Sequence, residues 1–245
     1  MPPMPDLPKI VAYDEIDSTN LEARRRVDAG ETGPLWITAL WQTAGKGRRG
    51  RTWRSGSGNL AATLLLTTSK PPLEAAQIAF VAALAVADLA STYALASKVR
   101  LKWPNDTLLA GRKLSGILIE SGPSPGGLWL AVGIGVNLAE APSDVERPAT
   151  ALSDHMDGPP PRPAEAVEIL AQAFERWRSL WERAGFAAIA EAWTQRAYGL
   201  GQSCSARLPG ETIEGVAEGL DLDGALRLRL PDGSLRRITA GDVFF

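Results

Sequence analysis

The chain has 245 residues, with 26 basic and 28 acidic side chains, and 22% of its residues are charged. This composition is typical of a globular protein, and the net charge of −2 excludes a generally basic nucleic-acid coat and a polyacidic tail. One cysteine, Cys204, and one histidine, His155, exclude an intrachain disulfide, a four-ligand zinc cluster of cysteines and histidine-rich metal sites. No signal-peptide pattern or membrane-length apolar run is visible, so we expect a cytoplasmic protein that does not bind membranes.

The first part of the chain predicts a mixture of helices and strands. Thr19 and Glu22 have the spacing of a capping box and Gly30 is a suitable stop, which predicts a short helix starting near Thr19. A long alanine- and leucine-rich segment without glycine or proline predicts one helix over residues 74–96. Apolar, β-branched segments predict strands at 35–42, 59–68, 99–102, 107–110, 113–120 and 128–136, with a hairpin at Gly111.

A loop-rich stretch at 142–163 precedes two further predicted helices, 164–184 and 186–198. Trp177, Leu180 and Trp181 lie near helical spacing, so we interpret them as core residues.

The pattern changes near residues 198–201. Short strands are predicted at 203–208, 213–220, 225–230 and 235–239, separated by the turn pairs Pro-Gly, Asp-Gly and Asp-Gly. Strands this short and evenly spaced indicate a small β-barrel. We therefore expect two domains, residues 1–198 and 199–245.

A cationic, glycine-rich segment stands out at residues 45–54, which hold five cations and three glycines. No acidic residue occurs between Glu31 and Glu74. Glycines let a backbone approach a ligand closely, and arginines present forked donors that match carboxylate and phosphate oxygens. We interpret the segment as a loop that folds over an anion, although a solvated basic loop and a weak nucleic-acid contact are alternatives.

Two phosphate-binding motifs are excluded for this loop. The spacing of Gly45, Gly47 and Gly50 matches the dinucleotide fingerprint, but the continuation is not helical and no acid follows before Glu74. A Walker loop needs Ser or Thr after the lysine, and Gly47 follows Lys46.

Three further clusters lie downstream, and each also has a purely structural interpretation. Asn105 and Asp106 follow a strand and could form a turn, and Lys113 could be an exposed strand end. Gly133 and Gly135 lie within a strand, where glycine marks either a bulge or a close approach.

Taken together, these segments resemble biotin protein ligases, from about Tyr13 to the C-terminus. The resemblance is carried by Asp17-Ser18-Thr19-Asn20, Gln42 ahead of residues 45–51, Lys102-Trp103-Pro104-Asn105-Asp106, Arg112 to Ile117, Gly133 to Asn137 and the barrel residues 219–243. It implies an α+β fold, in which a mixed β-sheet with packed helices forms a class II synthetase-like catalytic domain and an SH3-like barrel follows. The implied reaction joins biotin to ATP as biotinyl-5'-AMP and transfers biotin to one lysine of a biotin carboxyl carrier domain of a carboxylase.

The resemblance also implies site residues. The biotin site would comprise Ser18, Thr19, Asn20, Gln42, Lys46, Gly47, Arg48, Lys113, Gly116, Gly133 and Gly135. The ATP site would comprise Arg48, Arg51, Trp53, Asn105, Lys113 and Asn137. Lys113 and Arg48 would neutralise the two reacting anions, and Asp106 would orient or deprotonate the incoming lysine. Mg²⁺ would lie near Asn105 and Asp106.

Two departures from the family pattern bear on function. Lys46 stands where arginine is common, which keeps the charge but loses the planar fork. About a dozen residues precede Tyr13, too few for the helix-turn-helix domain of bifunctional members, so we expect no DNA binding. Pairing of two copies through sheet edges is left open.

Three alternatives stay open on the sequence. A lipoate ligase is not excluded by chemistry, although the loop does not resemble its motif. An octanoyl transferase needs a cysteine in the catalytic domain, whereas Cys204 lies in the predicted barrel. A noncatalytic biotin-sensing regulator is disfavoured by the lack of a DNA-binding domain.

Overall fold

The computed structural model describes residues 7–54 and 56–245. Within these residues the first part of the chain forms strands β1 (Lys9–Ile16), β2 (Leu35–Gln42), β3 (Leu60–Thr68), β4 (Val99–Lys102), β5 (Asp106–Leu109), β6 (Arg112–Ser124) and β7 (Gly127–Val136). Its helices are α1 (Thr19–Asp28), α2 (Pro72–Ala75), α3 (Ile78–Tyr93), α4 (Pro163–Ala184) and α5 (Phe186–Thr194). The C-terminal part forms β8 (Ser203–Leu208), β9 (Glu211–Leu220), β10 (Leu226–Arg229), β11 (Leu235–Ile238) and β12 (Asp242–Phe244).

The described residues build two sheets. The larger has seven strands in the order β1-β2-β3-β7-β6-β5-β4, and β1 and β2 pair in parallel while the other neighbours are antiparallel. The smaller is antiparallel, in the order β11-β10-β9-β8-β12. The predicted α+β class, with a mixed sheet followed by a small C-terminal β-domain, is confirmed.

Helices cover the two faces of the large sheet unequally. The main core lies between one face and the alanine-rich α3 with α4 and α5, and Trp36, Leu84 and Phe174 are buried there. On the opposite face α1 covers a small cluster of Ala23, Leu35, Ile37, Leu65 and Ala131. The single short helix leaves part of that face open, and the cavity described below occupies this part.

Helix α3 is the most apolar segment of the described chain. By length and composition alone the stretch Pro72–Tyr93, which spans α2 and α3, could cross a membrane, but most of it is buried inside the protein. It therefore forms the core of the large sheet's packed face.

The helix predicted over 74–96 is wrong at both ends and in its continuity. Hydrogen bonds from Gln77 N to Glu74 O and from Ala79 N to Ala76 O, three residues apart, separate α2 from α3. The second helix ends at Tyr93, because Ala94 adopts an extended conformation.

The helix predicted over 186–198 is likewise too long. It ends at Thr194, and the following residues pair with β4 instead, with Leu101 N donating to Arg196 O and Tyr198 N to Leu101 O. Pairing with a distant strand is a tertiary interaction that local sequence does not encode.

Two of the described strands, β1 and β12, were not predicted from the sequence. β1 is an edge strand whose residues are all exposed or half-buried, and β12 has three residues. The other predicted strands match within a few residues, and Trp181 is buried as expected while Trp177 and Leu180 pack against the core at partial exposure.

Candidate active site

Small residues form the floor of a cavity on the α1 face of the sheet. Side chains alternate between faces along a strand, so Gly116 in β6 and its partner Gly135 in β7 lie on the same face. A Cβ at Gly133 would collide with Asn20, and a Cβ at Gly135 would collide with the Trp53 indole. Since β7 pairs with both neighbours in unbroken register here, the two glycines mark close approach and not a bulge.

The cavity has a volume of about 340 Å³. All sixteen residues expected in the site line it: Ser18, Thr19, Asn20, Gln42, Lys46, Gly47, Arg48, Arg51, Trp53, Asn105, Asp106, Lys113, Gly116, Gly133, Gly135 and Asn137. The fold thus brings five separated segments of the sequence to one place.

One end of the cavity is a hydrogen-bond network of hydroxyl, amide and carboxylate groups, which we call the buried end: Thr19, Asn20, Gln42, Thr63 and Glu120. Gln42 Oε1 accepts from the Thr19 amide at 2.8 Å and from its hydroxyl at 3.1 Å. Thr63 Oγ1 lies 2.8 Å from Thr19 Oγ1 and 2.6 Å from Asn20 Oδ1, and Asn20 Nδ2 donates to Glu120 at 2.7 Å. These bonds fix the directions of the remaining donors and acceptors before any ligand arrives.

The capping box predicted for α1 does not form. Ser18 is the N-cap residue and makes no side-chain cap hydrogen bond. Thr19 bonds to Gln42, while Glu22 accepts from Tyr13 at 2.8 Å and pairs with Arg25 and Arg26. The side chain of Thr19 therefore bonds to a cavity residue and that of Glu22 to neighbours on the protein surface, and neither caps the helix.

Lys113 lies at the middle of the cavity. Gly116 leaves room beside it, since a Cβ at that position would lie 3.3 Å from Lys113 Nζ. Lys113 Nζ forms an ion pair with Asp106 Oδ1 at 2.6 Å, and the Asp106 side chain is only 7% exposed. The ammonium group is thereby aimed into the cavity by a buried carboxylate.

The other end of the cavity, which we call the charged end, consists of Arg48, Arg51, Asp106, Arg147 and Asp242. Arg51 Nη2 lies 3.1 Å from both carboxylate oxygens of Asp242, and Arg147 Nη1 lies 3.5 Å from Asp106 Oδ2. Arg48 donates to the carbonyl oxygen of Gly241 at 3.1 Å. The glycine-rich loop is thus fastened to β12 of the C-terminal sheet.

Two neighbouring residues complete the contacts of the charged end. Arg48 also donates to Asn105 Oδ1 at 2.7 Å, and Asn105 Nδ2 donates to the carbonyl oxygen of Ile117 at 2.7 Å. Asn137 is buried and donates to the carbonyl oxygen of Thr150 at 3.2 Å. The two asparagines therefore line the cavity in fixed orientations.

Burial and charge shift several pKa values at the charged end. Burial lowers the pKa of Arg48, and the charges of Asp242 and Asp106 offset part of that effect. Burial raises the pKa of Asp242, but hydrogen bonds from Arg51 and nearby cationic charge outweigh it, so the pKa lies below the ordinary value. Burial, followed by the charge of Arg147, lowers the pKa of the adjacent Lys102 to about 8.

The sequence interpretation missed four residues that shape the cavity. Thr63 and Glu120 lie on strands, where only the alternation of faces could have pointed to them. Arg147 lies in a long loop, and Asp242 lies 191 residues from Arg51. Neither carries a local motif.

The residues expected near Mg²⁺ do not fit a protein-held ion. Asn105 Oδ1 accepts from Arg48, and Asp106 is paired with the cations Lys113 and Arg147. Magnesium is usually bound through one or two carboxylates together with substrate phosphates, whereas the Asp106 carboxylate here already contacts two cations. Across residues 7–54 and 56–245, no group of three or more His, Cys, Asp or Glu side chains could hold a metal ion.

The fold and the cation-lined cavity together form a site suited to anionic substrates. A model of the Biotin/lipoate A/B protein ligase family matches residues 13–138, and a model of the Biotin protein ligase C terminal domain matches residues 199–245. The chain belongs to the Biotin/lipoate A/B protein ligase family, and the resemblance to biotin protein ligases is confirmed.

Relatives agree with this assignment. A biotin–[acetyl-CoA-carboxylase] ligase of Paracoccus denitrificans is 46% identical over 94% of this chain and 97% of its own length. A bifunctional ligase/repressor of Bacillus subtilis is 30% identical over 96% of this chain and 73% of its own.

Solved structures agree as well. A biotin protein ligase of Aquifex aeolicus, in complex with biotin and ATP, shares the fold with a TM-score of 0.81 at 24% identity, covering 96% of this chain and 97% of that one. A Leishmania major biotin protein ligase in complex with biotinyl-5-AMP has a TM-score of 0.66 at 27% identity, covering 95% and 99%.

The octanoyl transferase alternative finds no support in the position of the cysteine. Cys204 is buried in β8 of the C-terminal sheet, and burial raises the pKa of its thiol. A raised pKa leaves little thiolate, which is the nucleophilic form.

Proposed function

We propose that this chain is an ATP-dependent ligase that activates biotin as biotinyl-5'-AMP and transfers biotin to a specific lysine of a biotin carboxyl carrier domain. The observation that carries the proposal is the meeting, in one cavity, of a preorganised hydrogen-bonding end and a cationic end, with Lys113 between them. The family models and the relative from Paracoccus denitrificans support it.

Biotin belongs at the buried end. The ring system of biotin is neutral and polar, so it needs donors and acceptors of fixed direction and not charge. Ser18, Thr19, Asn20 and Gln42 supply such groups, and the glycines at 116, 133 and 135 leave a flat surface for the ligand. The biotin carboxylate then points toward Lys113.

The ATP phosphates belong at the charged end. A biotin carboxylate oxygen attacks the α-phosphorus, and the bond from that phosphorus to the bridging oxygen of pyrophosphate breaks. Both reactants are anions, so positioning and charge neutralisation supply most of the rate enhancement. Lys113 faces both reacting groups, Arg48 reaches in from the loop, and Arg51, Trp53, Asn105 and Asn137 surround the nucleotide.

The second step transfers the biotinyl group. The amine of the acceptor lysine attacks the biotinyl carbonyl carbon, AMP leaves, and the amine loses a proton. Asp106 orients or deprotonates that amine once Lys113 has turned toward the phosphate, because the structure pairs Asp106 with Lys113 beforehand. Lys46, Gly47 and Arg48 close over the mixed anhydride and shield it from water.

Several further features belong to the proposal. The catalytic domain spans residues 1–198 and the barrel 199–245, in keeping with the C-terminal family model. Magnesium arrives as the counter-ion of ATP, since the side chains at the charged end are already paired with cations. The enzyme acts in the cytoplasm without binding DNA or membranes, and pairing of two copies stays open.

Mass spectrometry of a carrier domain tests the proposal directly. The domain is incubated with the chain, ATP, Mg²⁺ and biotin, and we expect one lysine to gain the mass of a biotinyl group. A carrier whose acceptor lysine is replaced by arginine is the matched control. Modification with lipoate or octanoate in place of biotin, or no modification with any of the three, would contradict the proposal.

A further inference from the structure

Arg147 is a half-buried cation that no motif pointed to. It lies in the loop between β7 and α4, lines the cavity, and has a side chain that is 18% exposed. Its guanidinium carbon lies 4.2 Å from the centre of the Phe244 ring in β12. The side chain is therefore held between the C-terminal sheet and the cavity.

The hydrogen bonding of this guanidinium is incomplete. Nη1 lies 3.5 Å from Asp106, a long contact, whereas Nε and Nη2 are buried without a hydrogen-bond partner in residues 7–54 and 56–245. Nε and Nη2 form the forked edge that binds phosphate or carboxylate with two parallel hydrogen bonds. A buried charged donor without a partner is costly, so such an edge signals a group that binds there.

Positive charge is in excess around this edge. Asp106 is the nearest acid, and it is shared with Lys113, while Lys102 is close enough for the charge of Arg147 to contribute to its lowered pKa. Asp242, the other acid of the charged end, forms ion pairs with Arg49 and Arg51. The missing partner is therefore an anion.

The position of Arg147 relative to Lys113 indicates which anion. The two cations contact different oxygens of the same Asp106 carboxylate, Lys113 at 2.6 Å and Arg147 at 3.5 Å, so Arg147 is the next cation along the cavity wall from Lys113. The proposed function places the α-phosphate at Lys113, with biotin on the buried side. The phosphates that leave lie on the far side, toward Arg147.

We infer that Arg147 binds the pyrophosphate portion of ATP through Nε and Nη2, an inference that rests on the proposed function. As the α-phosphorus bond breaks, its electron pair goes to the bridging oxygen of pyrophosphate. Arg147 offsets the charge that develops there, while Phe244 holds the guanidinium flat. Arg147 thus selects ATP over nucleotides with fewer phosphates.

The full chain, Arg147→Gln and Arg147→Lys test the inference by calorimetric binding of inorganic pyrophosphate, ATP and AMP. Arg207→Gln is the matched control, because Arg207 also stacks on Phe244, at 4.4 Å, but pairs with the exposed Glu146. We expect Arg147→Gln to weaken pyrophosphate and ATP roughly 10- to 100-fold and to leave AMP as in the parent. Arg147→Lys keeps the charge without the fork and should give an intermediate loss.

Three results would overturn the inference: unchanged pyrophosphate affinity in Arg147→Gln, an equal loss for AMP, or the same pyrophosphate loss in Arg207→Gln. If Arg147→Gln has a lower melting temperature than the parent, the same comparison of pyrophosphate and AMP affinities is made with Arg147→Lys, and that result decides. Biotin-dependent exchange of labelled pyrophosphate into ATP by the parent separates the two proposals. Its absence would contradict the proposed function, while the binding comparison still decides the role of Arg147.

Discussion

The two ends of the cavity are built on different physical principles. At the buried end, short hydrogen bonds among hydroxyl, amide and carboxylate groups join α1 to strands of the large sheet. At the charged end, arginines of a loop are balanced by carboxylates, and one of these, Asp242, comes from the C-terminal sheet. The buried end is rigid and selective before a ligand binds. At the charged end, the cations exchange the carboxylates that they contact for the phosphates of the ligand. Substitutions at the two ends should therefore impair different properties of the enzyme.

Removing the cation between the two ends should have the largest effect. Lys113→Ala leaves two approaching anions without a bridging charge, which is worth about 2–4 kcal/mol, or roughly 30- to 1000-fold in the rate of adenylate formation. Single-turnover measurement of biotinyl-adenylate checks this. Arg112→Ala, a neighbouring exposed cation, is the control, and a near-normal rate for Lys113→Ala would remove the residue from the mechanism.

Crowding the buried end should impair biotin binding and spare ATP. In Gly133→Ala the new Cβ collides with Asn20, whose hydrogen bonds to Thr63 and Glu120 then shift. Overpacking of this kind costs about 1–3 kcal/mol, so KM for biotin should rise by roughly 10- to 100-fold. Steady-state kinetics with each substrate varied in turn is the measurement. An equal rise in KM for ATP would contradict the assignment of biotin to the buried end alone.

Loosening the charged end should release the intermediate. Arg48→Gly removes two hydrogen bonds that fasten the loop, so some adenylate still forms but escapes and labels lysines of bystander proteins. We expect roughly 10-fold more biotin on albumin than with the parent, a loss of retention of about 1.4 kcal/mol.

Arg49→Gly is the matched control for this release. Arg49→Gly removes the same charge from the same loop, at a residue whose φ of 56° suits glycine. Arg49 contacts Asp242 and the carbonyl oxygen of Arg207 but does not line the cavity, so this variant loosens the loop without removing a group that faces the ligand. Equal, negligible labelling by the parent and Arg48→Gly, with carrier labelling unchanged, would refute retention by the loop.

The last prediction concerns the free energy of unfolding at alkaline pH and depends on Lys102, which lies beside the charged end. The pKa of Lys102 is lowered to about 8 in the folded protein, so above that pH the unfolded chain holds a proton that the native state lacks. The free energy of unfolding should then rise by about 1 kcal/mol per pH unit from about pH 8 toward pH 10, relative to Lys102→Met. Urea titrations across this range test it, with the exposed Lys98→Met as control, and identical pH profiles for parent and Lys102→Met would contradict it.

Most strands and the motif-bearing residues could be predicted, because each depends on local pattern. Leu35–Gln42 and Ser203–Leu208 match residue for residue, since the first is an apolar, partly β-branched run and the second ends at a Pro-Gly turn pair. The ends of elements that depend on pairing with a distant strand could not be predicted. Helix α5, for example, ends at Thr194, where the chain leaves the helix to pair with β4. The three-residue β12 has too little local pattern to be recognised.

By itself the sequence indicated the cationic loop, and its resemblance to biotin protein ligases indicated the family and the sixteen residues that line the cavity, because most of them lie in short contiguous motifs. Only the tertiary structure decided how those residues are balanced. Arg147 meets Asp106 across 41 residues, and Arg51 meets Asp242 across 191. Charge compensation acts through space, so the partner of a cation is set by the packing of the two sheets and not by its neighbours in the chain.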